Sequence, residues 1–417
     1  MSEFRIQGGR RLSGDVTIHG AKNSVLPILA ATVLAPGVSV IRNCPDLSDV
    51  TASLTILEHL GCKTAREGDT VTVDASHLTR CDVPDALMRE MRSSVIFLGA
   101  ILARMGRADM NLPGGCELGP RPIDLHLSAM QTLGAEIREG PGGLHCTAPR
   151  LTGREISLSL PSVGATENIM LCACGAQGTT AILNAAREPE IVDLQDFLNA
   201  MGAKVCGAGS STILIEGGQA LHGGEHTVIG DRIVAATYLS AAAAAGGDVS
   251  VRGVDWRHLS TVTAVLREAG CTVRSETGAV RVTCTAPLKG VRPIHTAPYP
   301  GFPTDAQAPL MAALASSAGT TVFVENMFEN RYRHVDELSR MGADIRVEGR
   351  VAVVSGVPRL HGNAVCAADL RGGAALAVAA LGAEGETVLT GLHHIDRGYA
   401  SLEEDLRTLG AEIKRLE

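Results

Sequence analysis

The residues best suited to chemistry lie in one stretch, Pro113-Gly114-Gly115-Cys116-Glu117-Leu118-Gly119-Pro120-Arg121-Pro122. Three glycines and three prolines in ten residues suit neither a helix interior nor a central strand, so a shaped surface loop is expected. Cys116 sits at its centre with Arg121 five residues on, and a fixed cation beside a thiol favours the reactive thiolate. A cysteine in a tight turn is also just a small residue, so the charges elsewhere have to be weighed with it. Lys22 with Asn23, Arg92, Ser162-Val163-Gly164, Arg232, Asp305, and Asp369 with Arg371 all fall at or just before the starts of apolar helical segments. Arg121, Arg331 and Arg397 fall in loops. Helix N-termini bind phosphate through free N–H groups and the macrodipole. Arginines clamp phosphate or carboxylate through charge-assisted bonds that contribute about 1.5–3 kcal/mol each. One arginine alone is usually a solvated ion pair. Recurrence at equivalent positions favours a site for a substrate with several negative groups.

The elements that must position these residues come from an internal repeat. LGCKT (60–64), LGAEI (133–137), MGAKV (201–205), AGCTV (269–273), MGADI (341–345) and LGAEI (409–413) are six copies of one turn, about 70 residues apart. Each follows an amphipathic helix, as in Val50/Leu54/Leu57, Ile123/Leu127/Met130 and Leu402/Leu406/Leu409, and the glycine ends that helix. Arg121 and Arg397 each stand thirteen residues before their unit's glycine, so they are equivalent positions. Strands such as TAILNA and TVFVEN precede the helices, and hairpin strands such as STILIEG and VAVVSG follow. A second helix opens each unit, at 23–37, 91–106, 164–178, 231–247, 304–319 and 370–385, and is apolar nearly all round. Such a helix has to be buried on every side.

Each unit therefore reads helix-strand-helix-strand-strand, and three units can close around three buried helices. The sixth unit runs out at Glu417 with one hairpin strand missing; EFRIQG and GDVTIHG at the other end of the chain supply strands. The expected domains are 1–21 plus 230–417, carrying Asp305, Asp369 and Arg397, and 22–229, carrying the Cys116 loop. The active site is expected in the cleft between them. An open solenoid scaffold would instead need polar-faced helices and similar surfaces in every repeat.

Composition excludes other classes. Net charge is −8, which argues against non-specific nucleic-acid binding. MSEFRIQGGRRLSGDV lacks the apolar core of a secretory signal, and no run of eighteen apolar residues predicts membrane insertion. Eleven cysteines without CxxC spacing point to a reduced, cytoplasmic protein, with Cys172 and Cys174 as small core residues. The histidines show no metal spacing, His393-His394 included, and no metal is assigned. No GxGxxG follows a strand, and no GKS or GKT occurs. Glu188 and Glu190 are expected to pair with arginines rather than act as catalysts.

GAKNSVLPILAA, PGGCELGPRPIDLHL, PSVGATENIM, NAAREPEIVDL, FPTDAQAP, FENRYRHVDEL, SRMGADI, ADLRGG and HIDRGY resemble the UDP-N-acetylglucosamine 1-carboxyvinyltransferase (enolpyruvyl transferase) family, in order and over essentially the whole chain. The resemblance implies an α/β fold, the two-domain inside-out α/β barrel. It implies transfer of the enolpyruvyl group of phosphoenolpyruvate to the 3′-hydroxyl of UDP-N-acetylglucosamine with release of phosphate, the first committed step of peptidoglycan synthesis. Cys116 then looks like the proton donor that can also hold phosphoenolpyruvate covalently, with no separate cofactor. Lys22, Arg121 and Arg397 look like the clamp on phosphoenolpyruvate, supported by Arg331 and Arg371. Asn23, Arg92, Arg121, Pro122, Ile123, Asp124, Leu125, Ser162, Val163, Gly164, Asp305 and Met327 look like the UDP-sugar site. Asp305 would take the hydroxyl proton, and Asp369 would lie beside the reacting carbon. Some members carry a lysine two residues before the SVGAT serine, where this chain has Leu160-Pro161, so phosphate contact there falls to the backbone N–H groups of 162–164.

Two other readings compete. A 5-enolpyruvylshikimate-3-phosphate synthase shares this fold and donor, but the PGGC loop has no counterpart there. A non-catalytic UDP-sugar-binding paralogue would be expected to lack Cys116, Lys22 or Arg397, and all three are present.

Overall fold

A computed structural model describes residues 2–111, 123–140 and 143–417, with the side chains of Glu90 and Arg92 left out. The described residues from 20 to 229 form one compact unit, and residues 2–19 together with 230–417 form the other. The chain passes between them at His19–Gly20 and at Ile229–Gly230.

In the second of these units three helices, Arg232–Ala245, Thr304–Leu314 and Leu370–Gly382, pack on one another and are buried almost throughout. Around them stand three four-stranded sheets. The first unit repeats the plan with helices Lys22–Ala31, Phe97–Met105 and Val163–Cys174 and three further four-stranded sheets. Small residues make this packing close. A Cβ on Gly99 would fall 2.3 Å from the Asn168 carbonyl oxygen, and one on Gly382 would fall 2.8 Å from that of Ala244, so in each pair the two helix backbones nearly touch. The abundance of glycine and alanine follows from that contact distance.

Every sheet has one design. The strand after the buried helix pairs with one strand of the hairpin, as Val38–Arg42 pairs antiparallel with Thr70–Asp74. A short strand from just ahead of a buried helix pairs parallel on its other side. Between the parallel pairs the chain follows the surface helices, which end in the six glycines of the repeat. Gly61, Gly134, Gly202, Gly270, Gly342 and Gly410 all have φ between 91° and 108°, a backbone that L side chains rarely adopt. The sixth sheet is closed by the opposite end of the chain. Glu3–Gln7 pairs antiparallel with both Glu386–Thr390 and Glu412–Leu416. Ser13–Thr17 runs parallel to Asp248–Arg252 in a neighbouring sheet.

Two features differ from the sequence reading. The buried helices are shorter than their apolar runs: the reading at 164–178 ends at Cys174, and those at 304–319 and 370–385 end at Leu314 and Gly382. The reading at 91–106 begins as a 3-10 segment, Arg92–Ile96, before turning α-helical. Small and apolar residues run on past the helix ends, where Ala176, Ala315 and Ala383 are still buried although each turn also holds exposed residues, so hydrophobicity alone does not mark the helix end. The parallel strands Asp82–Val83, Glu155–Ser157, Ile294–His295 and Ala364–Cys366 were missed, because two or three residues are too few to show alternation.

Candidate active site

In the unit built from 2–19 and 230–417, the starts of two buried helices meet one loop arginine. Asp305 is the second residue of its helix and its carboxylate is held oxygen by oxygen: Arg331 Nη2 donates to Oδ1 at 2.8 Å and Arg371 Nη2 to Oδ2 at 3.2 Å. Arg331 also donates to the Thr304 carbonyl at 3.1 Å. Both arginines are buried, while about a quarter of the Asp305 side chain (28%) remains open. Asp369 caps the third helix, accepting from the amides of Arg371 at 3.0 Å and Gly372 at 2.9 Å through Oδ1. The structure therefore brings together Asp305, Arg331, Asp369 and Arg371. Arg397 is half-buried in the turn after Leu392–His394, and Met327 is partly exposed with its amide on Glu325 Oε1 at 2.8 Å.

Behind this cluster lies a buried chain of side chains that was not singled out in the sequence. Arg371 Nη1 donates to the Tyr399 hydroxyl at 3.3 Å, its guanidinium lies 5.5 Å from the Tyr399 ring centroid, and Thr237 Oγ1 is 2.8 Å from the same hydroxyl. Burial opposes the Arg371 charge, but Tyr399, Asp305 and Asp231 outweigh it and hold its pKa above the ordinary arginine value. His334 is fully buried, and burial pushes its pKa down to about 4 against the pull of Asp369, so it is neutral at neutral pH. Among the described residues, Arg331 Nε, Arg371 Nε and Asp369 Oδ2 have no protein hydrogen-bond partner. An unsatisfied buried polar atom costs about 1–3 kcal/mol. Three such atoms lie within this charged cluster. HIDRGY contains Tyr399, and a tyrosine two residues after a candidate arginine was the available signal.

In the other unit, Lys22 opens its buried helix and its Nζ lies 2.8 Å from Asp49 Oδ2, with both side chains buried. Asp49, in the first turn of Ser48–Leu60, is a second residue that sequence reasoning missed. Asn23 follows at half-burial. Ser162 caps the Val163–Cys174 helix by accepting from Ala165 N at 3.4 Å. A Cβ on Gly164 would lie 3.2 Å from His126 Cε1, which places Val163 and Gly164 beside the helix that begins at Asp124 and Leu125, just after Ile123. Asn168 ties the helices together: its Oδ1 accepts from Gly99 N at 2.6 Å, and its Nδ2 lies 2.7 Å from the Val95 carbonyl and 2.9 Å from His126 Nδ1. Burial drops the His126 pKa to about 4, so this ring accepts as the neutral base. Leu160 is exposed. Glu188 and Glu190 are buried beside Glu167, whose pKa is raised first by burial and then by these two carboxylates. Cys116, Arg121, Pro122 and the Arg92 side chain lie outside the described residues. Among the described residues no cluster of His, Cys, Asp and Glu could hold a metal ion, and no helix is long and apolar enough to cross a membrane.

Residues 6–406 match the family model described as EPSP synthase (3-phosphoshikimate 1-carboxyvinyltransferase). The chain is 53% identical to UDP-N-acetylglucosamine 1-carboxyvinyltransferase 2 of Caldanaerobacter subterraneus subsp. tengcongensis, over 100% of both chains. It is 47% identical to the UDP-N-acetylglucosamine 1-carboxyvinyltransferase of Dichelobacter nodosus, again over 100% of each. Among solved structures, the enolpyruvyl transferase NikO from Streptomyces tendae superposes with a TM-score of 0.90 at 30% identity, covering 99% of this chain and 98% of that one. An EPSP synthase from Acinetobacter baumannii superposes with a TM-score of 0.75 at 20% identity over 100% of both chains, a likeness of fold alone.

Proposed function

The chain belongs to the EPSP synthase family of carboxyvinyl (enolpyruvyl) transferases, and from that premise we propose that it moves the enolpyruvyl group of phosphoenolpyruvate onto the 3′-hydroxyl of UDP-N-acetylglucosamine, releasing phosphate. The observation that carries the chemistry is the Asp305 carboxylate, partly open and fixed between two buried guanidiniums. A base that must take a hydroxyl proton needs to be held in one orientation. The arginines beside it suit an anionic co-substrate. The choice of UDP-N-acetylglucosamine as acceptor is supported by full-length similarity to relatives of that name.

The reaction is an addition followed by an elimination. Cys116 protonates C3 of the enol, C2 becomes electrophilic, and the sugar oxygen attacks as Asp305 accepts its proton. Phosphate then leaves as a C3 proton is removed beside Asp369. Acid–base help of this kind contributes about 10²–10⁴-fold, and cations around the departing phosphate stabilise its charge. Lys22, Arg121 and Arg397 hold phosphoenolpyruvate, with Arg331 and Arg371 in support. Asn23, Arg92, Arg121 to Leu125, Ser162 to Gly164, Asp305 and Met327 receive the UDP-sugar. Arg121 favours the Cys116 thiolate, whereas an acid needs the thiol; the bound phosphoenolpyruvate anion offsets the cations and returns the proton to sulfur. Phosphoenolpyruvate brings its own leaving group, so the transfer calls for no redox or metal cofactor, although Cys116 can carry the donor covalently. We place the protein in the cytoplasm, where both substrates are made, at the entry to peptidoglycan synthesis and so upstream of cell shape and division.

Phosphate release from phosphoenolpyruvate tests this reading. Release that depends on UDP-N-acetylglucosamine, and not on shikimate-3-phosphate, is the expected result. Release with shikimate-3-phosphate instead would favour the synthase reading, and no release with either acceptor would leave only a binding role.

A further inference from the structure

The Thr272–Glu276 and Ala279–Thr283 strands form a hairpin in which Thr272 faces Thr283. One step further in the same register sets Cys271 opposite Cys284. Neither amide bonds across this pair: Cys271 N–H goes to the Leu266 carbonyl at 2.9 Å and Cys284 N–H to that of Gly247 at 2.8 Å. It is therefore a non-hydrogen-bonded pair, in which opposite Cα atoms approach to about 4.5 Å. A disulfide spans Cα separations of roughly 4.4–6.8 Å. The two Sγ atoms are 3.1 Å apart, and both side chains are buried.

The same position occurs in all six repeats. The facing residues are Cys62 and Ala75, Ala135 and Ala148, Ala203 and Gly217, Ala343 and Gly356, and Ala411 and Gly8. The fourth repeat alone carries sulfur on both sides. The position is tight: a Cβ on Gly356, Gly217 or Gly8 would fall 1.6, 2.1 or 2.2 Å from a carbonyl oxygen. In the fourth repeat the backbone leaves room for a side chain here, as it does at Ala75 and Ala148, and the two sulfurs that fill it are buried in contact with each other.

We infer that Cys271 and Cys284 form an oxidisable dithiol site that closes to a disulfide, with a small-molecule disulfide as oxidant, and so staples this hairpin. The inference is independent of the transferase reading. The Cys284 thiolate attacks one sulfur of the small disulfide, breaking its S–S bond and expelling one thiol. The Cys271 sulfur, losing its proton, then attacks Cys284 in the mixed disulfide and expels the second. Two protein thiols are oxidised, one small disulfide is reduced, and the two protons end on the released thiols. A hydrogen bond from Cys271 holds the Cys284 thiol below its ordinary pKa against the opposing effect of burial, which favours the first step. Access comes through the Thr272–Glu276 strand, which forms the edge of its sheet with mostly exposed side chains. Edge elements of this kind open locally at low cost.

The test is incubation of the reduced protein with oxidised glutathione, followed by peptide mass mapping and thermal unfolding. The expected product joins the peptides of Cys271 and Cys284, lighter by two hydrogens and free of glutathione, with a Tm raised on the order of 5 °C. Exposed Cys206 and Cys366 gain mass as mixed disulfides and are thereby told apart. Cys271→Ala abolishes both the joined peptide and the Tm rise; Cys284→Ser serves the same purpose should that variant fail to fold. Free thiols at both positions after treatment, glutathione retained on either, pairing with another cysteine, or joining without a rise in Tm would each overturn the inference.

Discussion

Replacing Tyr399 by phenylalanine removes one oxygen from the interior and tests how the Asp305 carboxylate, the proposed base, is held. Thr237 has a single hydroxyl proton, which it donates to the Ile233 carbonyl at 3.0 Å. The Tyr399 hydroxyl, 2.8 Å away, must therefore donate to Thr237 Oγ1 and keep its own lone pairs for Arg371. Tyr399→Phe keeps the ring under the guanidinium and leaves Thr237 its own donation to the Ile233 carbonyl; it removes the bond to Thr237 Oγ1 and, of more consequence for Asp305, the bond from Arg371. At 3.3 Å that bond is long, and about 1–2 kcal/mol is a fair value for it. Arg371 is one of two arginines fixing Asp305, so a loosened guanidinium loosens the proposed base. About 1.4 kcal/mol is tenfold in rate, and kcat for acceptor-dependent phosphate release should fall about tenfold, with KM for UDP-N-acetylglucosamine unchanged. Thr237→Val should slow turnover through the same hydroxyl, so the double variant should be no slower than Tyr399→Phe alone. A lowered Tm with kcat within twofold of wild type would show that Tyr399 only supports the fold. Additive losses in the double variant would show that Thr237 acts by another route.

Gly372→Ala should cost more activity than stability. The added Cβ would stand 2.7 Å from Asp369 Oδ2 and 3.1 Å from His334 Cβ, so the carboxylate has to move; wild-type kcat in this variant would count against a role for Asp369. Cys116→Asp should keep turnover, because a carboxylic acid can donate a proton, yet lose inactivation by alkylating epoxides such as fosfomycin; a folded but inert variant would argue against the proton-donor role. His126 titrates near 4 in the fold and near 6.5 when unfolded, so the unfolded chain binds more protons between those values. Its contribution is complete above pH 6.5 and is lost as pH falls towards 4, roughly 2 kcal/mol by pH 5. His334 acts in the same direction. Chemical denaturation from pH 7 to 5 should show a decline that is shallower in His126→Gln; identical slopes would refute the assignment.

The repeat shows how much local sequence can carry. The six glycines after the surface helices all adopt positive φ, a conformation one residue type tolerates well, so they were legible one by one. Helices apolar on every side announced their own burial. The strand that completes the sixth unit was visible at the other end of the chain, where Glu3–Gln7 pairs with Glu412–Leu416, whereas Ser13–Thr17 joins the sheet of Asp248–Arg252 instead. Charges at helix starts were legible too, and Asp305 and Arg371 stand at the second residue of their helices.

What the sequence could not display is which of these charges meet. Arg331 and Arg371 lie 26 and 66 residues beyond Asp305 in the chain, and only the packing of two helix starts with one loop brings both guanidiniums within 3.2 Å of its carboxylate. Tyr399, Thr237 and Asp49 were overlooked for the same reason. A buried hydroxyl or carboxylate is distinguished by its partner, and the partner comes from another repeat or another element. The facing cysteines needed the hairpin register before 271 and 284 became a pair. Composition and periodicity are properties of neighbours in sequence, and they settle which elements form. Directional contacts between side chains far apart in the chain depend on the closure of each unit around its helices.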